Sequence, residues 1–225
     1  MTQLAFLLDV DNTLLANDEV KEDLDHQLRQ LLGDKLAARF WDIYEQVRHE
    51  EGVVDIPVSL TRLRAEVPEE QMDKQTYQRA HAIFDNYPFF QRLYPHVIET
   101  LHHLGELGLT VIVSDGDQYF QAEKIVNSHL AEAVEGRVLI YIHKQQHLKE
   151  IFQRYPAEHY AMVDDKPQIL ADSKALLGNR LTTVFVKQGK YAQGPLPANF
   201  VPDVNVEHIA DLRNLTAQDF LGHQA

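Results

Sequence analysis

Ala5-Phe6-Leu7-Leu8-Asp9-Val10-Asp11-Asn12-Thr13 decides how the rest of the chain is read. It opens as an unbroken apolar run, which suits a parallel strand covered on both faces, and it ends abruptly in two carboxylates two residues apart. Ligands of open α/β sheets bind beyond the carboxyl ends of the strands, which is where Asp9 and Asp11 fall. Residues two apart in an extended segment point to the same side, so the two side chains are expected to converge on one substrate or one cation. Carboxylates that close repel each other. A hard divalent cation such as Mg²⁺, which takes oxygen ligands and bridges carboxylate to phosphate, would hold them ionised.

Downstream of Thr13 the pattern turns helical. One apolar stripe runs through Leu24, Leu28, Leu31 and Leu32 up to Gly33, and a second through Leu36, Phe40, Ile43, Tyr44 and Val47. A third, after Pro57 and Pro68, runs through Tyr77, Ala80, Ile83, Phe84 and Tyr87. Residues 17–90 therefore read as all helix, far more than one crossover between parallel strands requires, and are expected to form an inserted helical domain. From Pro95 onward helices and strands alternate. Val97, Ile98, Leu101, Leu104 and Leu107 share a helix face ended by Gly108, and Leu109 to Val113 form a strand that ends in Ser114-Asp115-Gly116-Asp117. A helix is expected from Tyr119 to about Ala133, with Ile125, Val126 and Leu130 inward. Strands at Val138 to Ile142, Tyr160 to Val163 and Thr182 to Val186 are separated by helices whose inward residues include Leu148 and Ile151, and by one from about Gln168 to Leu177. A last helix is expected from His208 to Leu215. Alternating βα units imply an α/β fold with a doubly wound parallel sheet. Its core would comprise residues 1–16 and 91–225, with residues 17–90 inserted.

Composition narrows the function classes. A chain of 225 residues, 44% hydrophobic and 24% charged, has the make-up of an ordinary globular protein with a sizeable core. A formal net charge of −13 argues against nucleic acid or an anionic membrane as partner, so any anionic substrate must be attracted locally. The absence of cysteine removes disulfides, thiolate nucleophiles and thiolate metal sites. No stretch has the length of a membrane span and the first residues lack the basic flank of a signal peptide, so a cytoplasmic location is the expectation.

Four strand ends carry reactive groups in chain order: Asp9 with Asp11, then Ser114, then Lys144, then Asp164 with Asp165. A carboxylate nucleophile, a second carboxyl, a metal site, a hydroxyl and an ammonium together make a complete set for phosphoryl transfer. This order, with Asp9-Val10-Asp11-Asn12-Thr13 leading and a long helical insert directly after it, resembles the haloacid dehalogenase superfamily, in particular its phosphatases with an all-helical cap. The sequence departs at Ser114-Asp115, where relatives more often carry Asn after the Ser or Thr.

The resemblance implies a Rossmann-like core and a Mg²⁺-dependent phosphatase of a small phosphorylated metabolite, as a monomer or homodimer. Asp9 would attack phosphorus to form an aspartyl-phosphate, and Mg²⁺ would be held by Asp9, the Asp11 main-chain carbonyl and Asp165, with Asp164 supporting the metal shell. Asp11 would protonate the leaving oxygen and then take a proton from the hydrolytic water. Ser114 and Lys144 would hold the non-bridging oxygens, and Thr13 would fix the loop. A phosphomutase of the same fold is one alternative. A dehalogenase is another, although it would need neither Asp11 nor the acidic pair. A phospho-acceptor signalling domain uses similar groups but in another chain order.

Blander roles compete for some residues. Lys144 is set apart from Lys124 and Lys149 by its place at a strand end. Asp115 or Asp117 is expected to cap the following helix, and Asp164-Asp165 would otherwise cap the helix that Pro167 opens. The histidines, including His102, His103, His143 and His147, are expected on the solvated surface. Trp41, Tyr44 and Arg48 are assigned to a core stripe in preference to a substrate pocket.

Overall fold

The computed structural model describes residues 2–52, 54–116 and 118–221, with the Gln118 side chain left aside. The opening apolar run becomes strand β1 (Thr2–Leu8), and its alternating side chains enter two different cores. Leu4, Phe6 and Leu8 join one buried cluster, whereas Ala5 and Leu7 join the other. A strand buried on both faces has no room for a polar residue until it emerges, which is why the carboxylates begin at Asp9.

Five further strands, β2 (Leu109–Asp115), β3 (Val138–Tyr141), β4 (Ala157–Asp164), β5 (Leu181–Val186) and β6 (Val204–Val206), complete a six-stranded sheet of order β3-β2-β1-β4-β5-β6. Every pairing is parallel. Leu8 is in register with Ile112 of β2 and Val163 of β4, so the chain order reverses on either side of β1. Such a switch point opens a crevice at the carboxyl ends of the central strands. A Cβ at Gly108, just before β2, would overlap the Leu4 carbonyl, so the approach of the preceding helix to β1 requires glycine there.

Between β1 and β2 lie α1 (Asn17–Leu32), α2 (Asp34–Glu51), α3 (Ile56–Glu66), α4 (Lys74–Asp85) and α5 (Val97–Leu107). The first four pack on one another through Leu24, Leu28, Phe40, Ile43, Leu60, Leu63, Ala80 and Phe84. The chain leaves the sheet and returns to it at adjacent segments. Ala16 N–H donates to Arg92 O (2.8 Å), Tyr94 N–H donates to Leu14 O (3.0 Å), and Leu15 bridges Leu93 in antiparallel fashion. After β2 come α6 (Gln118–Asn127), α7 (Leu130–Ala133), α8 (Leu148–Arg154), α9 (Pro167–Leu177) and α10 (Ala217–Leu221). Helices α5, α6 and α7 cover one face of the sheet, and α8 and α9 cover the other. No helix among the described residues is long and apolar enough to cross a membrane.

Several local expectations are corrected. Helix α3 was not among the three stripes, although Asp55 caps it by accepting from Val58 N–H at 2.7 Å, Pro57 sits in its first turn, and Ile56, Leu60 and Leu63 form its buried face. The helix expected from Tyr119 to Ala133 breaks into α6 and α7 at His129, whose φ of 62° is incompatible with a continuing right-handed helix. The break changes the phase of the helix, and Val126, expected inward, is 60% exposed. Strand β3 stops at Tyr141, leaving Ile142 exposed. Strand β6 is too short to produce a periodic signal. The last expected helix is a 3₁₀ segment, Ile209–Asn214, followed by α10.

Candidate active site

The turn after β1 is built on one acceptor. The Val10 carbonyl accepts from the N–H groups of Thr13 (3.2 Å), Leu14 (2.9 Å) and Leu15 (3.0 Å), and Asn12 makes the reversal with φ 62°. Thr13 lies at its centre. Its hydroxyl is 3.5 Å from Asp9 Oδ2 and accepts from the main-chain N–H of Asp165 at 3.1 Å, tying the end of β1 to the end of β4.

Four strand ends meet at Lys144. Its ammonium donates to Asp9 Oδ1, pairs with Asp164 Oδ2 at 2.7 Å and donates to the Val113 carbonyl at 3.2 Å, while its main-chain N–H donates to Asp115 Oδ1 at 2.6 Å. Asp115 therefore braces the β3 end against the β2 end. Asp117, the other capping candidate, lies outside the described residues. Ser114 is buried at the end of β2, and its Oγ accepts from Gln121 Nε2 at 2.8 Å.

Asp9, Asp164 and Asp165 are all buried, with carboxylate oxygens within 4.8 Å of one another. Asp164 Oδ1 accepts from Lys166 N–H at 2.8 Å, but neither carboxylate oxygen of Asp165 has a hydrogen-bond partner. Burial, followed by repulsion from Asp164 and Asp9, pushes the Asp165 carboxyl up to about 9. Burial also raises Asp9, against the pull of Lys144. Burial would lower the ammoniums of Lys144 and Lys166, but the surrounding carboxylates outweigh it and raise both. Two ammoniums against three carboxylates leave one carboxylate uncompensated. Two unpartnered, buried oxygens beside two more carboxylates fit a hard divalent cation.

The Asp11 side chain is turned away from this cluster. It pairs with Lys124, whose Nζ lies 2.7 Å from Asp11 Oδ1 and 2.9 Å from Asn17 Oδ1. Burial would raise the Asp11 carboxyl, but Lys124 outweighs it and holds the group below the ordinary value. Gln121 escaped the sequence reading, and Lys124 entered it only as a rival to Lys144. They lie three apart on α6 and so share the face that points at the end of β1, a spacing that could have flagged them. Lys166, directly after the acidic pair, was the other missed residue.

A cavity of about 370 Å³ opens above Asp11, between the sheet edge and α1 and α2. Trp41, Tyr44 and Arg48 line it, which corrects their assignment to the core stripe alone. Tyr44 serves both ends, being buried in the helical core and facing the cavity. His143 lines the cavity, His103 Nε2 meets the Leu215 carbonyl, and His147 stacks on Tyr141. None of the three joins the carboxylate cluster.

Residues 4–170 match the family model of haloacid dehalogenase-like hydrolases. The chain belongs to that family. A haloacid dehalogenase-like hydrolase from Burkholderia xenovorans LB400 is 44% identical, with 96% of this chain and 98% of that chain covered and a TM-score of 0.87. Two more distant structures share the fold. The magnesium-bound HAD-hydrolase YfnB of Bacillus subtilis is 15% identical over 95% of this chain and 98% of that chain, with a TM-score of 0.64. The 2-haloacid dehalogenase of Pseudomonas syringae pv. tomato DC3000 is 16% identical over 95% and 97%, with a TM-score of 0.67. No curated protein matches the chain significantly in sequence. As a haloacid dehalogenase-like hydrolase the protein is an enzyme, with its Rossmann-like core assembled around Asp9.

Proposed function

We propose that this hydrolase is a Mg²⁺-dependent phosphatase of a small phosphorylated metabolite, acting through an aspartyl-phosphate on Asp9 under a helical cap formed by residues 17–90. The observation that carries the reading is the buried Asp165 carboxylate, unpartnered and within reach of Asp9 and Asp164. A site that attacks carbon has no use for a third buried carboxylate, whereas a site that attacks a phosphate dianion needs compensating positive charge. Asp9 and Asp165 would hold the ion with the Asp11 main-chain carbonyl, Asp164 would support them, and the ion would supply charge to offset the phosphate.

The chain's own residues account for the remaining steps. Lys144 holds the Asp9 carboxylate in place and, with Ser114, would bind the non-bridging oxygens. An Asp9 oxygen forms the new bond to phosphorus as the ester oxygen departs, taking a proton from Asp11. Water then attacks the phosphoryl group, Asp11 accepts the water's proton, and Asp9 is released. Because Lys124 holds Asp11 ionised in the free protein, that contact must loosen for Asp11 to act as an acid. Acid–base help of this kind contributes roughly 10²–10⁴ in rate.

The same Asp11–Lys124 pair favours one rival reading. In a dehalogenase Asp9 attacks carbon and expels halide, water then attacks the carboxyl carbon of the resulting ester to release the hydroxy acid and Asp9, and halide departs without a proton from Asp11. The deciding measurement runs both reactions on the purified protein, with p-nitrophenyl phosphate and a panel of phosphorylated metabolites in one arm and 2-haloacids in the other. Phosphate release that needs Mg²⁺ is expected. Halide release without metal, and no phosphate release from any ester, would replace the phosphatase with the dehalogenase.

A further inference from the structure

Although the protein carries a net charge of −13, Lys21, Arg48, Lys124, Lys166 and Lys190 all line the one cavity above Asp11. Most of these charges have an evident counterpart. Lys124 is taken up by Asp11, Lys166 lies among the acidic cluster, and Arg48 meets the exposed Glu45 at 3.1 Å. Lys21 is different. It is half-buried on α1, its ammonium lies 5.1 Å from the centre of the Tyr44 ring, and it has no ion-pair partner among the described residues. Burial pushes that ammonium down, repulsion from Lys190 adds to the effect, and the attraction of Glu45 and Asp11 does not outweigh them. A half-buried ammonium facing a cavity, with a second ammonium beside it, gains a direct ionic partner when an anion enters the cavity.

Lys190 is held in position to serve the same anion. Its N–H donates to Asp18 Oδ2 at 2.9 Å, while its ammonium makes a longer ion pair, 3.7 Å, with Asp18 Oδ1. Gly189 has a φ of 68°, and a Cβ there would overlap Asn12, so this loop is pressed onto the turn after β1. The Tyr191 ring lies between two ammoniums, 5.3 Å from Lys190 and 5.5 Å from Lys166. A phosphoryl group at Asp9 would be matched by Lys144, Ser114 and the metal, which leaves Lys21 and Lys190 without a task in the reaction itself.

We infer that Lys21 and Lys190, flanked by Tyr44 and Tyr191, form a second anion subsite, and that the substrate is a phosphate ester whose organic part carries another anionic group, a carboxylate or a second phosphate. This rests on the phosphatase reading for the ester at Asp9 and adds the class of leaving group. Neutral sugars and simple alcohols would bring no negative charge to the two ammoniums.

The test is equilibrium binding to the full-length Asp9→Asn protein, which holds an ester without turning it over. The matched probes are 3-phosphoglycerate, glycerol 1,3-bisphosphate and glycerol 3-phosphate, titrated in the presence of Mg²⁺. At least one of the two doubly anionic probes is expected to bind about tenfold or more tighter than glycerol 3-phosphate, and which one wins separates carboxylate from phosphate. Lys21→Met, and independently Lys190→Met, should shrink that ratio toward one, and Lys21→Arg should restore it. Equal affinities for all three probes, or a preference that survives both Met substitutions, overturns the subsite. Phosphate release by the wild-type protein is scored separately. A preference without phosphate release from any ester of the panel keeps the subsite and rejects the phosphatase, whereas phosphate release with equal affinities does the reverse.

Discussion

Lys124 Nζ lies 2.7 Å from Asp11 Oδ1, and this ion pair, buried on its lysine side and partly open on its carboxylate side, joins α6 to the turn after β1. It places on the second carboxylate of the opening motif a constraint that the first does not share, because Asp9 faces Lys144 and two further carboxylates. Removing the cation leaves Asp11 without its ionic partner in a partly buried position. Lys124→Met should therefore cost about 2–4 kcal/mol in urea unfolding at neutral pH, less than the largest penalties for breaking a fully buried pair, because Asp11 retains some access to water. A loss below about 0.5 kcal/mol would show that the pair contributes nothing to the fold.

Different fates await the two carboxylates when each is changed to its amide. Asp9→Asn removes the nucleophile and should form no phosphoenzyme. Asp11→Asn keeps the nucleophile and should slow transfer from an alkyl phosphate by roughly 10²–10⁴. An aryl phosphate leaves without needing that proton, so Asp9 should still be phosphorylated and the intermediate should accumulate for want of a base. Intact-protein mass spectrometry should show one added phosphoryl group on Asp11→Asn and none on Asp9→Asn.

The uncompensated carboxylate cluster should make the metal-free protein less stable than it needs to be. Asp165 has a folded-state pKa of about 9 against an ordinary 3.8, so its proton stabilises the fold fully below 3.8, and this contribution is lost as pH rises toward 9. In chelator, thermal unfolding should accordingly show Asp165→Asn to be more stable than wild type, by a margin that grows with pH across that window. Added Mg²⁺ should raise the Tm of the wild type and leave that of Asp165→Asn unmoved. A wild-type Tm indifferent to Mg²⁺ would remove the metal from the site.

Activity should distinguish the ions by their coordination. Phosphate release is expected to require Mg²⁺, to vanish in excess chelator, and to be inhibited by Ca²⁺, whose larger and looser shell would displace the attacking carboxylate. Full turnover in chelator would contradict the cofactor proposal.

Near the point where the chain returns to the sheet, Asp23 on α1 accepts from the Tyr87 hydroxyl and from Arg92 Nη2 (2.5 Å) and Nε (2.8 Å). The Tyr87 hydrogen bond, together with Arg92, holds the Asp23 carboxyl below its ordinary 3.8. A depressed pKa gives stability that is present above 3.8 and lost as pH falls below it. Asp23→Asn should cost about 0.5–1 kcal/mol at neutral pH, a figure kept small by the exposure of both partners, and the difference from wild type should shrink in acid. Denaturant midpoints measured across that range provide the check.

Much of this arrangement is legible in residue order. The apolar run ending at Asp9, Gly108 before a β-rich segment, and Asp164-Asp165 after Val163 each mark a strand or its end by a pattern confined to a few residues. From such marks follow the parallel sheet, the helical stretch after Thr13, and the gathering of Asp9, Ser114, Lys144, Asp164 and Asp165 at one edge. Periodicity records which residues must leave water, and in a sheet buried on both faces that requirement is strict.

Tertiary structure alone decided which lysine meets which carboxylate. In sequence, Lys124 looks like any solvated residue of a helix, and Lys21 like any residue on the polar face of α1. One is buried against Asp11 and the other is left facing a cavity because α6 and α1 converge on the same crevice. Trp41 and Tyr44 follow the spacing of a core stripe and also form a cavity wall, since the space between packed helices and a sheet edge is a property of both surfaces. The residues within a segment determine its own burial pattern over a few ångströms of chain. The charge that a side chain meets depends on partners more than a hundred residues away, as Lys124 and Asp11 are, and no local pattern encodes where they come together.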